Sequence, residues 1–146
     1  MQDFSIQVRV YYEDTDAGGI VYHADYLKFC ERARTDWLRQ TGISQEKLLH
    51  DGEGFVIARM QAAFKRSAHL DDLLTVSCVP IKVRHVSVTF LQEIRNQQGQ
   101  LLFTMQAEIA YVDKNLGTMK AMPQSMIDFI EHSMALQKQE NKDAAD

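Results

Sequence analysis

One long amphipathic helix, predicted between one strand and a run of four others, limits the folds open to this chain more than any other feature. Apolar residues recur at three- and four-residue steps from about Ala24, and Gly42 suits the position just past a helix end. The apolar stripe consists of Tyr26, Leu27, Phe29, Cys30, Ala33, Trp37 and Leu38. The charged residues Lys28, Glu31, Arg32, Arg34 and Arg39 are predicted on the opposite side. A helix of about 18 residues with one apolar face must pack against another element.

Five segments alternate between apolar and polar residues with the period that indicates strands. They cover roughly residues 4–10, 56–64, 74–83, 86–95 and 101–111. In the second segment, Val56, Ala58, Met60, Ala62 and Phe64 are predicted to share one face. In the third, the apolar phase slips at Pro80, which predicts a bulge or an edge position. Connections of hairpin length between the late strands predict a mainly antiparallel sheet.

The remaining segments predict short helices around a single domain. Ser44 is a candidate cap for a short helix that ends near His50, and Pro123 is a candidate start for a final helix. We expect one domain over residues 1–136, followed by a polar, flexible tail over 137–146. A five-stranded, mainly antiparallel sheet with one face covered by a long helix is an α+β architecture.

Composition and charge argue against several classes of function. The net charge of −4, with scattered basic residues, is unlike a nucleic-acid-binding face. No apolar run reaches the roughly 20 residues of a membrane span, and the first residues do not resemble a signal peptide. Cys30 and Cys78 lie among apolar neighbours, which predicts free buried thiols and a cytoplasmic location. His69, Asp71 and Asp72 are more typical of a turn than of a metal site, so no metal is predicted.

Residues 9–26, RVYYEDTDAGGIVYHADY, form the candidate site. Asp14 and Asp16 lie on a predicted loop, two glycines that permit a close backbone approach follow, and the long helix begins directly after His23. A helix start offers unpaired N–H groups and about half a positive charge, which stabilise an oxyanion. A nearby carboxylate can activate water or attack a carbonyl carbon directly. These parts suffice to hydrolyse an activated acyl group.

Ordinary structural roles remain open for the same residues. Asp14 and Asp16 also suit turns in which the side chain bonds the local backbone. His23 also suits capping or packing, and Tyr12 suits a strand. Asp25, in the first helical turn, is explained by a favourable interaction with the helix dipole.

The segment resembles the signature of the 4-hydroxybenzoyl-CoA thioesterase family. Its fixed positions are filled by Arg9-Val10, Thr15-Asp16, Gly19-Ile20-Val21, His23 and Tyr26. The combination of Tyr12, Asp16 and His23 is similar to the YbgC-like branch, which is associated with the bacterial Tol-Pal envelope system. The resemblance in the order of elements extends over residues 4–133.

This resemblance implies a hotdog fold, in which the sheet wraps around the long helix, and a homodimer or homotetramer with the active site between subunits. It places the catalytic carboxylate on Asp16 and the N–H group that holds the thioester carbonyl on His23. The His23 side chain and Tyr12 are implied helpers that orient substrate or water. The substrate is implied to be an acyl thioester of CoA or of acyl carrier protein, and no cofactor is predicted. General-base and anhydride mechanisms both stay open.

Four residues are candidates for binding the substrate. Gly19 belongs to the signature. Lys65 and Arg66 end a predicted strand, where the lysine ammonium and the arginine guanidinium can bind CoA phosphates. Members of the family often carry proline where Ser67 stands. Arg84 approaches another turn and is a weaker candidate for the same nucleotide. The alternative for these cations is a solvated strand end.

The sequence predicts an acyl-CoA thioesterase and leaves two alternatives. A binding module would hold an acyl thioester or acyl carrier protein without hydrolysis, linking lipid metabolism to the envelope. A dehydratase of the same fold would need an acid and a base on the helix and the facing strand, and no matching pair is found. Phe29, Trp37 and Phe64 are candidates to shorten the acyl pocket, which favours short or branched acyl groups.

Overall fold

A computed structural model gives the fold of residues 3–145, with side chains described for residues 3–139. The elements are β1 (Ser5–Arg9), a 3₁₀ helix (Tyr12–Asp14), α1 (Asp25–Gln40), α2 (Gln45–His50), β2 (Glu53–Phe64), β3 (Leu73–Ser77), β4 (Val79–Val83), β5 (Ser87–Arg95), β6 (Leu101–Asp113), β7 (Thr118–Met119) and α3 (Gln124–Ala145). One long helix between a first strand and a run of later strands confirms the predicted α+β class.

The strands form one antiparallel sheet in the order β1-β3-β5-β6-β2, with β4 pairing β5 and β7 pairing β6. β3 and β4 are the two halves of one predicted strand, separated at Cys78, and both pair with β5. The register of β4 shifts after Pro80, so the predicted bulge is confirmed. The two-residue β7 was missed because so short a segment has no readable period.

The apolar stripe of α1 packs against the inner face of this sheet. The Trp37 and Phe90 rings lie 5.2 Å apart, and Tyr26 stacks on Phe103 at the same distance. Gly42 has a φ of +90°, as expected for the residue that ends the helix. The long helix is therefore the central core element that its periodicity predicts.

Arg34 differs from its prediction, because it is buried in the core rather than exposed on the polar side of α1. Its Nη1 donates to Gln92 Oε1 at 2.8 Å, and Gln92 Nε2 donates to the Cys30 carbonyl at 2.9 Å. Burial lowers the pKa of Arg34 and raises the pKa of the Cys30 thiol to about 12. The partner that makes a buried arginine tolerable lies 58 residues away, so helical periodicity does not reveal it.

β2 differs from its predicted pattern because a bulge lies between Ile57 and Arg59. Met60, Ala62 and Phe64 pair with inner-face residues of β6 and share the inner face, as predicted. Val56 lies before the bulge and pairs with Ala110, so it faces the other side. The prediction of one shared face is wrong for Val56, since an extra residue reverses the alternation.

The two ends of the sheet carry different candidate residues. Arg95 pairs with Leu101 at one end, and Phe64 and Leu73 lie at that same end. At the other end, Ser87 pairs with Ala110, and the turn that carries Arg84 joins β4 to β5. We call the end at Phe64 the loop end, because β1 leads there into the loop that carries Asp16.

α3 is longer than predicted. Its backbone is helical through Ala145 and therefore includes most of the predicted polar tail. The domain limit at residue 136 and the flexibility of the tail stay predictions. None of the helices in residues 3–145 combines the length and the apolar character that crossing a membrane requires.

Candidate active site

The loop that carries Asp16 is closed by backbone hydrogen bonds. Asp16 N–H donates to the Ile20 carbonyl at 2.9 Å, Gly19 N–H donates back to the Asp16 carbonyl at 3.0 Å, and Thr15 pairs with Val21. Gly19 has a φ of +80°, a left-handed conformation that side chains rarely adopt. The local sequence thus forms a tight turn with Asp16 at its start.

The Asp16 carboxylate is exposed and held in one orientation. Its Oδ1 accepts from Gly18 N–H at 2.8 Å, so Asp16 has the turn role in which its side chain bonds the local backbone. A Cβ atom at Gly18 would lie only 3.2 Å from that oxygen, which favours glycine there. Within residues 3–139, Oδ2 of Asp16 has no hydrogen-bond partner, so one carboxylate oxygen stays available for water or substrate.

The start of α1 lies directly after this loop. Asp25 N–H donates to the Tyr22 carbonyl at 2.9 Å, and the N-cap residue Ala24 provides no side-chain cap. His23 is exposed, with its ring 4.5 Å from the Tyr22 ring. An uncapped helix start presents N–H groups to a ligand oxygen, as the predicted oxyanion site requires.

The connection from β2 to β3 packs against both the Asp16 loop and the start of α1. Val21 N–H donates to the Ala68 carbonyl at 2.9 Å, Ala68 N–H donates to Tyr26 Oη at 3.0 Å, and Ile20 pairs with His69. His69 is thereby placed beside the Asp16 loop, with Nδ1 3.9 Å from Asp72 Oδ2. The sequence predicts a turn at His69 but not its place beside the Asp16 loop, because backbone pairing between two distant loops leaves no periodic signal.

A buried pair of carboxyl groups lies beneath the loop. Asp14 and Asp25 are both buried, and their side chains are hydrogen-bonded to each other. Burial and a side-chain hydrogen bond with Asp14 raise the pKa of Asp25, while Lys28 and Arg32 act in the opposite direction. The helix dipole alone, which favours a charged aspartate, does not account for Asp25.

Lys65, Arg66 and Arg84 do not all lie together. The Lys65 and Arg66 N–H groups share the Leu102 carbonyl at 2.8 and 3.1 Å, and their side chains are exposed at the loop end. Arg84 lies at the other end, where its N–H donates to the Ser87 carbonyl, and β5 alone spans about 27 Å between the ends. Within one chain, Lys65 and Arg66 therefore lie at the same end of the sheet as the Asp16 loop and His23. Arg84 lies at the opposite end. Tyr12 is exposed on the 3₁₀ helix before the loop.

A fixed, exposed carboxylate beside an uncapped helix start is a chemical arrangement suited to acyl transfer. Comparison with known protein families supports this chemistry. A model of the thioesterase superfamily matches residues 18–103, which is more than half of the chain. The chain belongs to the thioesterase superfamily. This finding confirms the family implied by the resemblance, and the chain is a thioester hydrolase.

Curated relatives and solved structures agree with this membership. The acyl-CoA thioester hydrolase YbgC of Escherichia coli O6:H1 is 40% identical over 124 residues, which cover 85% of this chain and 92% of that protein. The acyl-CoA thioesterase YbgC of Haemophilus influenzae is 43% identical over 118 residues, covering 80% and 85%.

A probable thioesterase from Bartonella henselae, known from its crystal structure, is 34% identical with a TM-score of 0.78, covering 84% of this chain and 100% of that one. The predicted hotdog fold of this thioesterase is thus confirmed.

Proposed function

We propose that this thioesterase hydrolyses acyl-CoA, with water and the thioester giving the free acid and the CoA thiol. The observation that carries the proposal is the Asp16 carboxylate, held by Gly18 N–H on an exposed loop beside the uncapped start of α1. The relatives from Escherichia coli O6:H1 and Haemophilus influenzae, both named for acyl-CoA thioester hydrolysis, support the same substrate class.

In the proposed mechanism, the thioester carbonyl oxygen accepts a hydrogen bond from the backbone N–H of His23. The positive end of α1 stabilises the negative charge that develops on that oxygen. Asp16 either removes a proton from the attacking water or attacks the carbonyl carbon to form a mixed anhydride, which water then hydrolyses. In both routes the C–S bond breaks, and the sulfur leaves with the bonding electron pair and takes up a proton.

Other residues of the loop end are proposed to hold the substrate. Gly19 lets the backbone approach the thioester, and the side chains of His23 and Tyr12 orient substrate or water. Lys65 and Arg66 bind CoA phosphates as a point charge and a planar fork. Their exposed positions beside the loop that packs on Tyr26 support this role.

A second copy of the chain is proposed to complete the site. β2 is a strand of 12 residues that, within residues 3–145, pairs only with β6, so its outer edge presents backbone donors and acceptors. Antiparallel pairing of two such edges would extend the sheet and direct the Arg84 end of one copy towards the Asp16 end of the other. This supports a homodimer or homotetramer in which Arg84 contributes to binding CoA.

The preferred acyl group is proposed to be short, and acyl carrier protein is an alternative carrier to CoA. We also propose a cytoplasmic location, which the free, buried thiols of Cys30 and Cys78 support because the cytoplasm keeps thiols reduced. The acyl length and the carrier concern the same site, and each can be tested separately from hydrolysis itself.

Hydrolysis is tested by comparing wild-type protein with Asp16→Asn on acyl-CoAs of graded length, with detection of the released thiol. We expect kcat to fall by about 10²–10⁴ because the amide can neither accept a proton nor attack. Asp36→Asn is the matched control, since Asp36 is exposed on α1 and pairs with Arg39 at the surface. The control should retain wild-type turnover and all three proteins should melt alike.

Two outcomes would contradict the proposal. Equal turnover by wild-type protein and Asp16→Asn would remove Asp16 from the mechanism. Tight acyl-CoA binding with negligible turnover in the wild type, unchanged in Asp16→Ala, would favour the non-catalytic binding module. A single turnover in heavy-oxygen water identifies the anhydride route if solvent oxygen enters the Asp16 carboxylate, as it does when water attacks the aspartyl carbonyl of the anhydride. The general-base route transfers solvent oxygen to the product acid alone.

A further inference from the structure

Phe64 is the exposed member of an aromatic cluster that it forms with Tyr26, Phe29 and Phe103. Tyr26, Phe29 and Phe103 are buried in the core, whereas Phe64 is 55% exposed. Trp37, a further candidate for shortening the acyl pocket, is also buried. Phe29 and Trp37 are therefore core residues, and of these three candidates only Phe64 presents its ring to a ligand.

The Phe64 ring is held in place despite its exposure. It meets Tyr26 edge-on at 5.7 Å between ring centres and Phe103 at 5.1 Å, with interplanar angles of 75° and 64°. Such edge-to-face pairs have a preferred geometry. Because Tyr26 is further fixed by its hydrogen bond from Ala68, the ring is a rigid wall and not a mobile surface side chain.

This wall lies close to the proposed carbonyl position. Tyr26 follows His23 by three residues, a rise of about 4.5 Å along a helix. The Tyr26 ring lies 5.7 Å from the Phe64 ring, so Tyr26 connects the first turn of α1 to Phe64. An acyl group whose carbonyl is held at the start of α1 has its first few carbons within reach of the ring.

The inner face of β2 beyond Phe64 is open and apolar. Ala62 comes next on that face and is exposed and small, and Met60 follows at 40% exposure. Residues of one face repeat about every 7 Å along a strand, so Ala62 leaves a gap behind the Phe64 ring.

We propose that Phe64 determines the acyl length that this enzyme accepts, by closing the route from the start of α1 to the apolar face at Ala62 and Met60. Short acyl groups end before the ring, and longer ones collide with it. This inference rests on the proposed thioesterase function. It adds to the proposed hydrolysis a preference for acyl length that depends on one residue.

The test measures kcat/KM for butyryl-, octanoyl- and decanoyl-CoA in wild-type protein, Phe64→Leu and Phe64→Trp. Removing the ring should raise the decanoyl-to-butyryl ratio by about tenfold or more, since removing a steric conflict of one or two methylenes has effects of this size. Phe64→Trp enlarges the wall and should lower the ratio. Opposite shifts in the two variants cannot come from a general loss of fold.

Phe129→Leu is the matched control. Phe129 is 45% exposed on α3 and lines a cavity beside α2, and it lies near the C-terminal end of α1, away from His23. This variant should leave the ratio within about twofold of wild type, below the effect expected for a methylene conflict. Thermal unfolding of each variant shows whether it is folded during the assay.

The results separate the inference from the proposed function. If wild-type protein cleaves butyryl-CoA in an Asp16-dependent way but both Phe64 variants keep the wild-type ratio, the assignment of Phe64 is overturned and the function stands. Parallel losses on all three substrates would also overturn it. Wild-type protein that cleaves none of them overturns the function and the inference together.

Discussion

Asp14 and Asp25 bury their carboxyl groups against each other beneath the loop that carries Asp16. Asp14 Oδ2 also accepts from Tyr11 N–H at 2.9 Å, and the Asp14 carbonyl accepts from Tyr22 N–H at 2.9 Å. Burial, together with a hydrogen bond between the two carboxyl side chains, raises the pKa of Asp25. The pair joins the 3₁₀ helix to the first residue of α1.

Asp25 therefore makes stability depend on pH in a direction opposite to most surface carboxylates. A group with a raised pKa in the folded state stabilises the fold fully below its ordinary pKa of 3.8 and loses that contribution as pH rises through the raised value. Asp25→Asn keeps a hydrogen-bond donor and cannot ionise. We expect the unfolding free energy of the wild type to fall relative to this variant as pH rises from acid to neutral.

Urea denaturation of both proteins over that pH range checks the expectation. Asp128→Asn, on the exposed side of α3, is a control that should follow the wild type. Parallel curves for wild type and Asp25→Asn would show that folding does not raise the pKa of Asp25.

Tyr26→Phe should destabilise the protein although it keeps the aromatic ring. The Tyr26 hydroxyl accepts from Ala68 N–H, and Ala68 is fully buried, so the variant leaves that N–H without a partner. The expected cost in unfolding free energy is about 1–3 kcal/mol. Chemical denaturation measures it against Tyr22→Phe, whose ring is exposed and whose change should cost far less. Equal stability of the two variants would show that the hydroxyl is dispensable.

Arg66→Ala should weaken binding of CoA without slowing the reaction. Loss of one charge-assisted contact to a phosphate corresponds to a rise in KM of about tenfold or more, with kcat little changed. Acyl-N-acetylcysteamine, a thioester without phosphates, should be cleaved equally by wild type and variant. Arg39→Ala is the control, because Arg39 is an exposed cation on α1 that pairs with Asp36. A matching rise in KM for both substrates would indicate a distorted site instead of a lost phosphate contact.

Local periodicity predicted the elements that are defined by their own residues. The α1 stripe, the end of that helix at Gly42 and the slip at Pro80 all follow from spacing or backbone preference. The residues that differ from their predicted positions depend on partners distant in sequence. Arg34 is buried because Gln92 satisfies it, and Val56 changes face because a bulge forms against β6.

The candidate site divides in the same way. The Asp16 turn and the helix start after His23 are contiguous in sequence, so a motif could identify them. The place of His69 beside Ile20 depends on pairing between loops 49 residues apart, and the separation of Arg84 from Asp16 depends on strand order. A single sequence contains neither relationship in a readable form.

The exposed edge of β2 gives a last prediction, on assembly. Ile57 lies on the inner face of this strand and is 41% exposed. If two copies pair along β2, Ile57→Lys places like charges close together across the shared edge, which opposes association. We expect the wild type to sediment as a dimer or tetramer, and the variant at a lower mass because it has lost the β2 pairing. Because the proposed site lies between subunits, kcat/KM should fall with the loss of the dimer.

Ile81→Lys separates this effect from the general consequence of a new surface charge. Ile81 is 40% exposed on β4, so the two substitutions add the same charge at equally exposed isoleucines, but on different strands. The control should keep the wild-type mass and turnover. A fully active wild-type monomer, or an Ile57→Lys monomer that turns over normally, would mean that one chain contains the whole site. Arg84 would then lie too far from Asp16 to bind the same CoA, since the length of β5 separates the two ends of the sheet.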